Sequence, residues 1–386
     1  MTAAPPNLDQ VLTALAAALG GEGPAVELSA GPDGSPVARS VDVPGVEGAA
    51  VVVRTSGSTG TPKATILTVD ALAASSMATA IALCGEGQWL LALPVQFVAG
   101  VQVLVRSLFA GTRPWAMDLS DGFTPEAFTA AAGELTDTLR YTSLVPTQLQ
   151  RLLDDPSADT LAALRRFNAV LLGGAPASPE LLAAAREAGV RVVTTYGSAE
   201  TSGGCVYDGV PLEGVEVAVD ADGRILLGGA TVAAGYLGEP DLTASAFVER
   251  DGLRWYRTND LGTLAPDGTL TVQGRADDVV ITGGVKVSAA HVQAELERLD
   301  GVRAAFVTGV PSADWGQALA AYVVLTNGSE EAAAEFRALL GSGAGPLTGA
   351  LAPKTIHLAD DLLMLPNGKP DRLGMAIRLD ALHQGK

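Results

Sequence analysis

The chain has 386 residues, 48% of them apolar, and a formal net charge of −18. That is enough apolar material for about two or three domains with filled cores, yet no apolar run approaches the roughly 20 residues of a membrane span. Strong acidity without a basic stripe argues against nucleic acid and anionic membrane surfaces as partners, since both are bound through clustered lysine and arginine.

The N-terminal MTAAPPNLDQ lacks the basic-then-apolar order of a signal peptide, so a cytoplasmic protein is expected. Residues 7–20 read as an amphipathic helix that starts near Asn7 and is closed by Gly20-Gly21. A strand is expected at 49–54, helices at 68–83 and 98–110, and a buried strand at 89–93 between them. Thr124-Pro125-Glu126 opens another helix with proline at its first position. A strand at 139–143, a helix at 146–153 and a strand at 169–172 follow. Ser178-Pro179-Glu180 caps a helix that stops at Gly189, and a strand at 191–195 comes directly after it. Strands alternating with helices predict an α/β domain with mainly parallel, helix-covered sheets.

After residue 205 the texture changes. Asp222-Gly223, Asp251-Gly252 and Asp267-Gly268 are hairpin signals, so about 212–273 should be a small β-rich subdomain. Beyond it a compact α+β tail is expected: a strand, a helix at 288–299, strands at 302–310 and 319–325, a helix at 330–340, and a glycine-rich loop at 341–350. The boundary falls at about 274–277, giving domains 1–274 and 275–386, with no internal repeat. Cys84 and Cys205 match neither a disulfide framework nor a metal spacing, and His291, His357 and His383 are too few for a multi-histidine metal centre.

Residues 54–63, RTSGSTGTPK, follow an apolar strand and hold few side chains that can fill a core. A mobile Gly/Ser linker and an anion cradle are the two readings; a linker seldom follows a buried strand directly and ends in Thr-Pro-Lys. Gly57 and Gly60 allow close approach, Ser56, Ser58, Thr59 and Thr61 can donate to phosphate oxygens, and Lys63 adds charge. The spacing excludes the common Gly-Lys-Ser/Thr nucleotide loop, because Pro62 stands where the glycine preceding that lysine belongs. Lysine occurs only at 63, 286, 354, 369 and 386, and Lys63 and Lys369 both sit in Gly/Pro-containing loops; each is either a solvated surface lysine or an anion ligand.

The segment Thr55 to Lys63 resembles the phosphate loop of the adenylate-forming superfamily of acyl-CoA synthetases, peptide-synthetase adenylation domains and luciferases. Further motifs appear in the family's order. Gly173-Gly174-Ala175-Pro176 resembles the adenine-side segment. Tyr196-Gly197-Ser198-Ala199-Glu200-Thr201 resembles Tyr-Gly-x-Thr-Glu, whose tyrosine stacks on the base and whose glutamate holds Mg2+. A flat aromatic face and a hard oxygen ligand suit those two tasks. Ala199 replaces the usual hydroxyl residue, which leaves a phosphate contact from Thr201 dependent on a local adjustment. Tyr256-Arg257-Thr258-Asn259-Asp260 resembles Tyr-Arg-Thr-Gly-Asp; Asn259 tolerates positive φ, and Asp260 is either the ribose ligand or a solvated turn residue. Gly274-Arg275-Ala276-Asp277 resembles the hinge motif, with Arg275 reaching the nucleotide and Asp277 as pivot. Gly283 and Gly284 resemble the turn that lines the thiol tunnel, and Pro366-Asn367-Gly368-Lys369 the segment with the catalytic lysine.

The resemblance implies ATP, Mg2+ and CoA as reactants or cofactors of a carboxylic-acid substrate, with Lys369 and Glu200 as catalytic residues and a C-terminal domain that swings about Asp277. A homo-oligomer is compatible with the sequence. The acyl pocket would begin after Pro94-Val95-Gln96-Phe97, with Gln96, Phe97, Gly173 and Ser198 facing the substrate. Arg106 is the one charge in the helix that follows; it either pairs with a surface acid at the helix edge or meets a second carboxylate on the substrate. The stretch from Pro94 to Leu108, and the roughly 50 residues before the phosphate loop, are similar to the compact o-succinylbenzoate–CoA ligases of menaquinone biosynthesis. Another small aryl- or acyl-CoA ligase, a stand-alone enzyme loading a carrier protein, and a non-catalytic adenylate binder are the alternatives. The histidine that many relatives carry in the 94–97 stretch is absent.

Overall fold

The computed structural model describes residues 7–31, 35–55, 63–119, 122–341, 346–365 and 370–385. Ser56, Gly57, Ser58, Thr59 and Gly60, and Pro366 to Lys369, lie outside the described residues. The chain divides into two compact units, one of residues 1–218, 226–258 and 264–270, the other of 219–225, 259–263 and 271–386.

The first unit holds two sheets. One orders strands Gly235–Tyr236, Lys63–Thr68, Ala49–Thr55, Ala25–Ala30 and Pro36–Val41, and only the pairing of 25–30 with 49–55 is parallel. The antiparallel register sets Thr55 opposite Lys63, so both ends of the 56–62 segment meet at one point of the sheet. This sheet departs from the parallel expectation because its sequence-adjacent strands are joined by short connections, which only antiparallel pairing accommodates.

The other sheet orders Val210–Pro211, Gly203–Tyr207, Val192–Ser198, Ala169–Leu172, Arg140–Leu144, Gln88–Leu91 and Trp115–Ala116. From 192–198 to 115–116 the pairing is parallel. The carboxyl ends of those strands therefore deliver residues 92–97, 173–176 and 198–201 to one edge, where open α/β sheets bind their ligands. The covering helices begin as their caps predict: Thr124 accepts from Ala127 N–H ahead of Pro125–Gly133, and Ser178 from Leu181 N–H ahead of Pro179–Glu187. Leu90, Phe128, Leu144, Leu149, Leu164 and Val170 are among the buried core between sheet and helices.

In the second unit, strand Gly316–Leu325 alternates between two cores. Leu319, Ala321 and Val323 join Val292, Leu296 and Val307 on one face; Ala318, Ala320 and Tyr322 join Phe306, Met375 and Leu379 on the other. Helix Ala289–Glu297 covers the first face and the last helix, Arg372–Gln384, the second. All three Asp-Gly pairs form tight turns; Asp251 and Gly252 adopt φ 54° and 76° between strands Phe247–Arg250 and Leu253–Leu264. Strands 215–219, 224–229, 253–264 and 270–275 each cross from one unit to the other along the chain.

Candidate active site

Strand Val192–Ser198 reverses through the short turn Ala199–Thr201 into Gly203–Tyr207, with Ser202 at φ 54°. The reversal needs Gly197, because a Cβ there would lie 2.2 Å from the Gly203 carbonyl oxygen. Glu200 sits in this turn, only 6% exposed. Its Oε1 accepts a 2.8 Å hydrogen bond from the Tyr236 hydroxyl and its Oε2 a 2.7 Å bond from the Ser198 hydroxyl. Tyr236 is carried by the short strand paired with 63–68, where it faces Thr65. The Lys63 ammonium lies 5.2 Å from the centroid of its ring. Burial, and then the charge of Glu200, raise the Tyr236 pKa well above the ordinary phenol value, so the hydroxyl is a permanent donor.

No group of three or more His, Cys, Asp or Glu suited to a metal occurs among the described residues. A buried carboxylate with a hydroxyl beside it is an oxygen-only donor set. It suits Mg2+, which takes one or two carboxylates and completes its shell with substrate phosphates and water. Thr201 does not act as expected. It is wholly buried, its Oγ1 accepts from Ser198 N–H at 3.0 Å and donates to the Gly203 carbonyl at 2.8 Å, so it forms the turn and has no phosphate-facing hydroxyl.

In the segment expected on the adenine side, strand 169–172 delivers Gly173, whose Cβ would fall 2.4 Å from Thr195 Oγ1, and Gly174 at φ 85°. Ala175 is half-buried and Pro176 exposed, while Tyr196 is half-buried opposite Val206. In the segment expected to open the acyl pocket, Phe97 N–H donates to the Pro94 carbonyl at 3.3 Å and precedes helix Val98–Phe109. Gly100 lets that helix touch the 94–97 turn, since a Cβ would lie 2.3 Å from the Pro94 carbonyl oxygen. The Gln96 Oε1 is buried without a partner.

Arg106 is 6% exposed, which removes the helix-edge reading. Its guanidinium stacks 5.1 Å from the Trp89 ring and its Nη2 stands 3.5 Å from the Tyr207 hydroxyl, itself 3.0 Å from Thr79 Oγ1. Its Nε has no partner, and it forms no ion pair among the described residues. At about 1.5 Å per residue, Arg106 lies about 12 Å along the helix from Val98. A buried guanidinium held by an aromatic face and a phenol keeps one donor that an anion could use.

In the second unit Arg275 forks onto Asp277, with both nitrogen–oxygen contacts at 2.8 Å, and its Nη1 reaches Asp260 at 3.4 Å. Burial works against ionising Asp277, but the Arg275 hydrogen bonds and charge outweigh it and hold the carboxyl below its usual range. Asn259 needs no positive φ; it lies inside strand 253–264, where its Oδ1 accepts from Arg224 at 3.0 Å. Gly283 and Gly284, at φ 56° and 82°, turn strand Val279–Thr282 into Val285–Ser288, and Gly283 also leaves room for the Trp315 ring.

Residues 10–237 match the family model described as AMP-binding enzyme, and residues 291–369 match the AMP-binding enzyme C-terminal domain. The chain belongs to the AMP-binding enzyme family. It is similar to a Mycobacterium tuberculosis (strain ATCC 25618 / H37Rv) protein named "Probable 2-succinylbenzoate--CoA ligase", 44% identical over 331 residues, covering 85% of this chain and 84% of that one. It is 30% identical over 340 residues to the 2-succinylbenzoate--CoA ligase of Listeria monocytogenes serotype 4b, covering 84% and 69% of the two chains. Among solved structures it is similar to the o-succinylbenzoate CoA synthetase (MenE) of Bacillus subtilis in complex with the acyl-adenylate intermediate OSB-AMP, with TM-score 0.70, 26% identity, and 84% and 68% of the chains covered. In this AMP-binding enzyme the residues the sequence did not single out are Tyr236, Tyr207, Thr79 and Trp89. Each acts through a partner at least 17 positions away (Trp89–Arg106 being the nearest pair), so no local motif signals it.

Proposed function

We propose that this AMP-binding enzyme is an AMP-forming acid–thiol ligase that converts 2-succinylbenzoate to its CoA thioester in menaquinone biosynthesis. The observation that carries the reading is Arg106, buried in helix Val98–Phe109 with no carboxylate partner among the described residues and with its Nε unused. An aromatic dicarboxylate gives it a partner, whereas a plain fatty acid does not. The names of the relatives at 44% and 30% identity support the same substrate.

The chemistry follows from the leaving groups. A carboxylate oxygen attacks the α-phosphorus of ATP, and the bond from that phosphorus to the pyrophosphate oxygen breaks. The CoA thiol, losing its proton, then attacks the acyl carbon and AMP departs. Glu200 would hold Mg2+, which would supply positive charge against the phosphates. Lys369 bridges the carboxylate and the α-phosphate in the first step, Lys63 and the 55–60 segment hold the leaving phosphates, and Tyr196, Gly174 and Asp260 contact the nucleoside. Arg275 reaches the nucleotide, and Asp277 is the pivot about which a C-terminal domain 275–386 turns, withdrawing Lys369 and bringing Gly283 and Gly284 to the thiol path.

Pyrophosphate release across mono- and dicarboxylic aryl acids tests the substrate. Arg106→Ala should lower kcat/KM roughly 100-fold on 2-succinylbenzoate and only slightly on benzoate-type acids. Equal losses on both classes sink the carboxylate clamp, and adenylate without CoA thioester points to carrier loading. Lys369→Ala should abolish adenylation and spare thioester formation from preformed acyl-adenylate.

A further inference from the structure

We infer that Tyr236 is a positioning residue that aims the Glu200 carboxylate at a divalent cation without neutralising it. The inference rests on the proposed role of Glu200 as the metal carboxylate. Both Glu200 oxygens accept one bond from a neutral hydroxyl, Oε1 from Tyr236 at 2.8 Å and Oε2 from Ser198 at 2.7 Å. Each oxygen keeps a lone pair, and the carboxylate cannot rotate without breaking one bond. Glu200 forms no ion pair among the described residues, although it is 6% exposed. A buried carboxylate with neutral donors only is incompletely compensated, and an external cation completes it.

The tyrosine is itself fixed. Its N–H donates to Thr243 Oγ1 at 2.9 Å, its ring meets Phe247 edge-on at 5.3 Å, and it is 4% exposed. The nearby cation, Lys63, lies on the face of this ring, 5.2 Å from its centroid. Lys63 forms no ion pair with Glu200 among the described residues, so it does not cancel the metal site.

The test uses the full-length enzyme with a non-hydrolysable ATP analogue and reads Mn2+ binding from the paramagnetic resonance of the free ion. Tyr236→Phe should weaken Mn2+ about 10- to 100-fold, and raise the Mg2+ concentration for half-maximal adenylation in parallel, with a cooperative thermal transition retained. Glu200→Gln, measured alongside, separates the two ideas. Weakened Mn2+ binding in Glu200→Gln with none in Tyr236→Phe overturns the positioning role while the metal reading stands; unchanged binding in both overturns the metal reading and the inference with it. If Tyr236→Phe does not fold, 3-fluorotyrosine at 236 keeps the ring and makes the hydroxyl a stronger donor. An altered Mn2+ affinity is then expected, and an unaltered one overturns the inference.

Discussion

At Gly197 the backbone leaves no space for a methyl group: the nearest atom to a Cβ would be a carbonyl oxygen at 2.2 Å, which cannot be moved without opening the turn that holds Glu200. Gly197→Ala should cost about 2 kcal/mol or more in denaturant unfolding and impair adenylation beyond that loss. Asp277 responds to pH in a defined direction. Its folded pKa lies below the unfolded value near 4, so its contribution is present above that value and is lost as pH falls through the folded one. The stability of Asp277→Asn should therefore trail wild type at neutral pH and converge with it in acid; a constant gap across that range counts against the Arg275 fork. Single residues were singled out by the sequence where chemistry and local motif coincide, as at Glu200 and Gly197, although the structure shows Gly197 as a requirement of the turn. Tyr236 and Tyr207 were not, because strand pairing brings them in from distant segments.

Helices and strands with strong periodicity or explicit caps were readable to within about two residues at most ends, as with helix Pro146–Leu153 and strand Ala169–Leu172. Strand Gly203–Tyr207 was not, since two glycines open it and its conformation is imposed by pairing with 192–198. Strands Ala25–Ala30 and Pro36–Val41 are short and mixed in polarity, and helix Ala158–Arg165 carries a weak apolar stripe. The last helix was missed because apolar residues lie on both its sides: Met375 and Leu379 are fully buried, whereas Leu373 and Ile377 are each 62% exposed. Met375→Ala or Leu379→Ala should destabilise by about 2–5 kcal/mol, and Leu373→Ala or Ile377→Ala by about 0.5 kcal/mol or less, in equilibrium unfolding. Similar costs at all four positions would mean that the outer side is also packed.

The whole molecule carries −18 charges and is proposed to collect two polyanions, ATP and CoA. At low ionic strength its field should repel them, so kcat/KM for CoA should rise several-fold between about 10 and 150 mM salt as the Debye length shortens. A fall over that range would show that local cations outweigh the net charge. An acyl-adenylate formed in such an enzyme is reactive toward any thiolate, including the protein's own. Cys84 is exposed, but Cys205, next to the Glu200 hairpin in sequence, is 1% exposed and burial pushes its thiol up to about 12. The thiol built into the hairpin strand is thus kept protonated and out of reach. The consequence is chemical fidelity by omission: the thiol nearest Glu200 in sequence does not compete with one that arrives from solution for the activated acyl group.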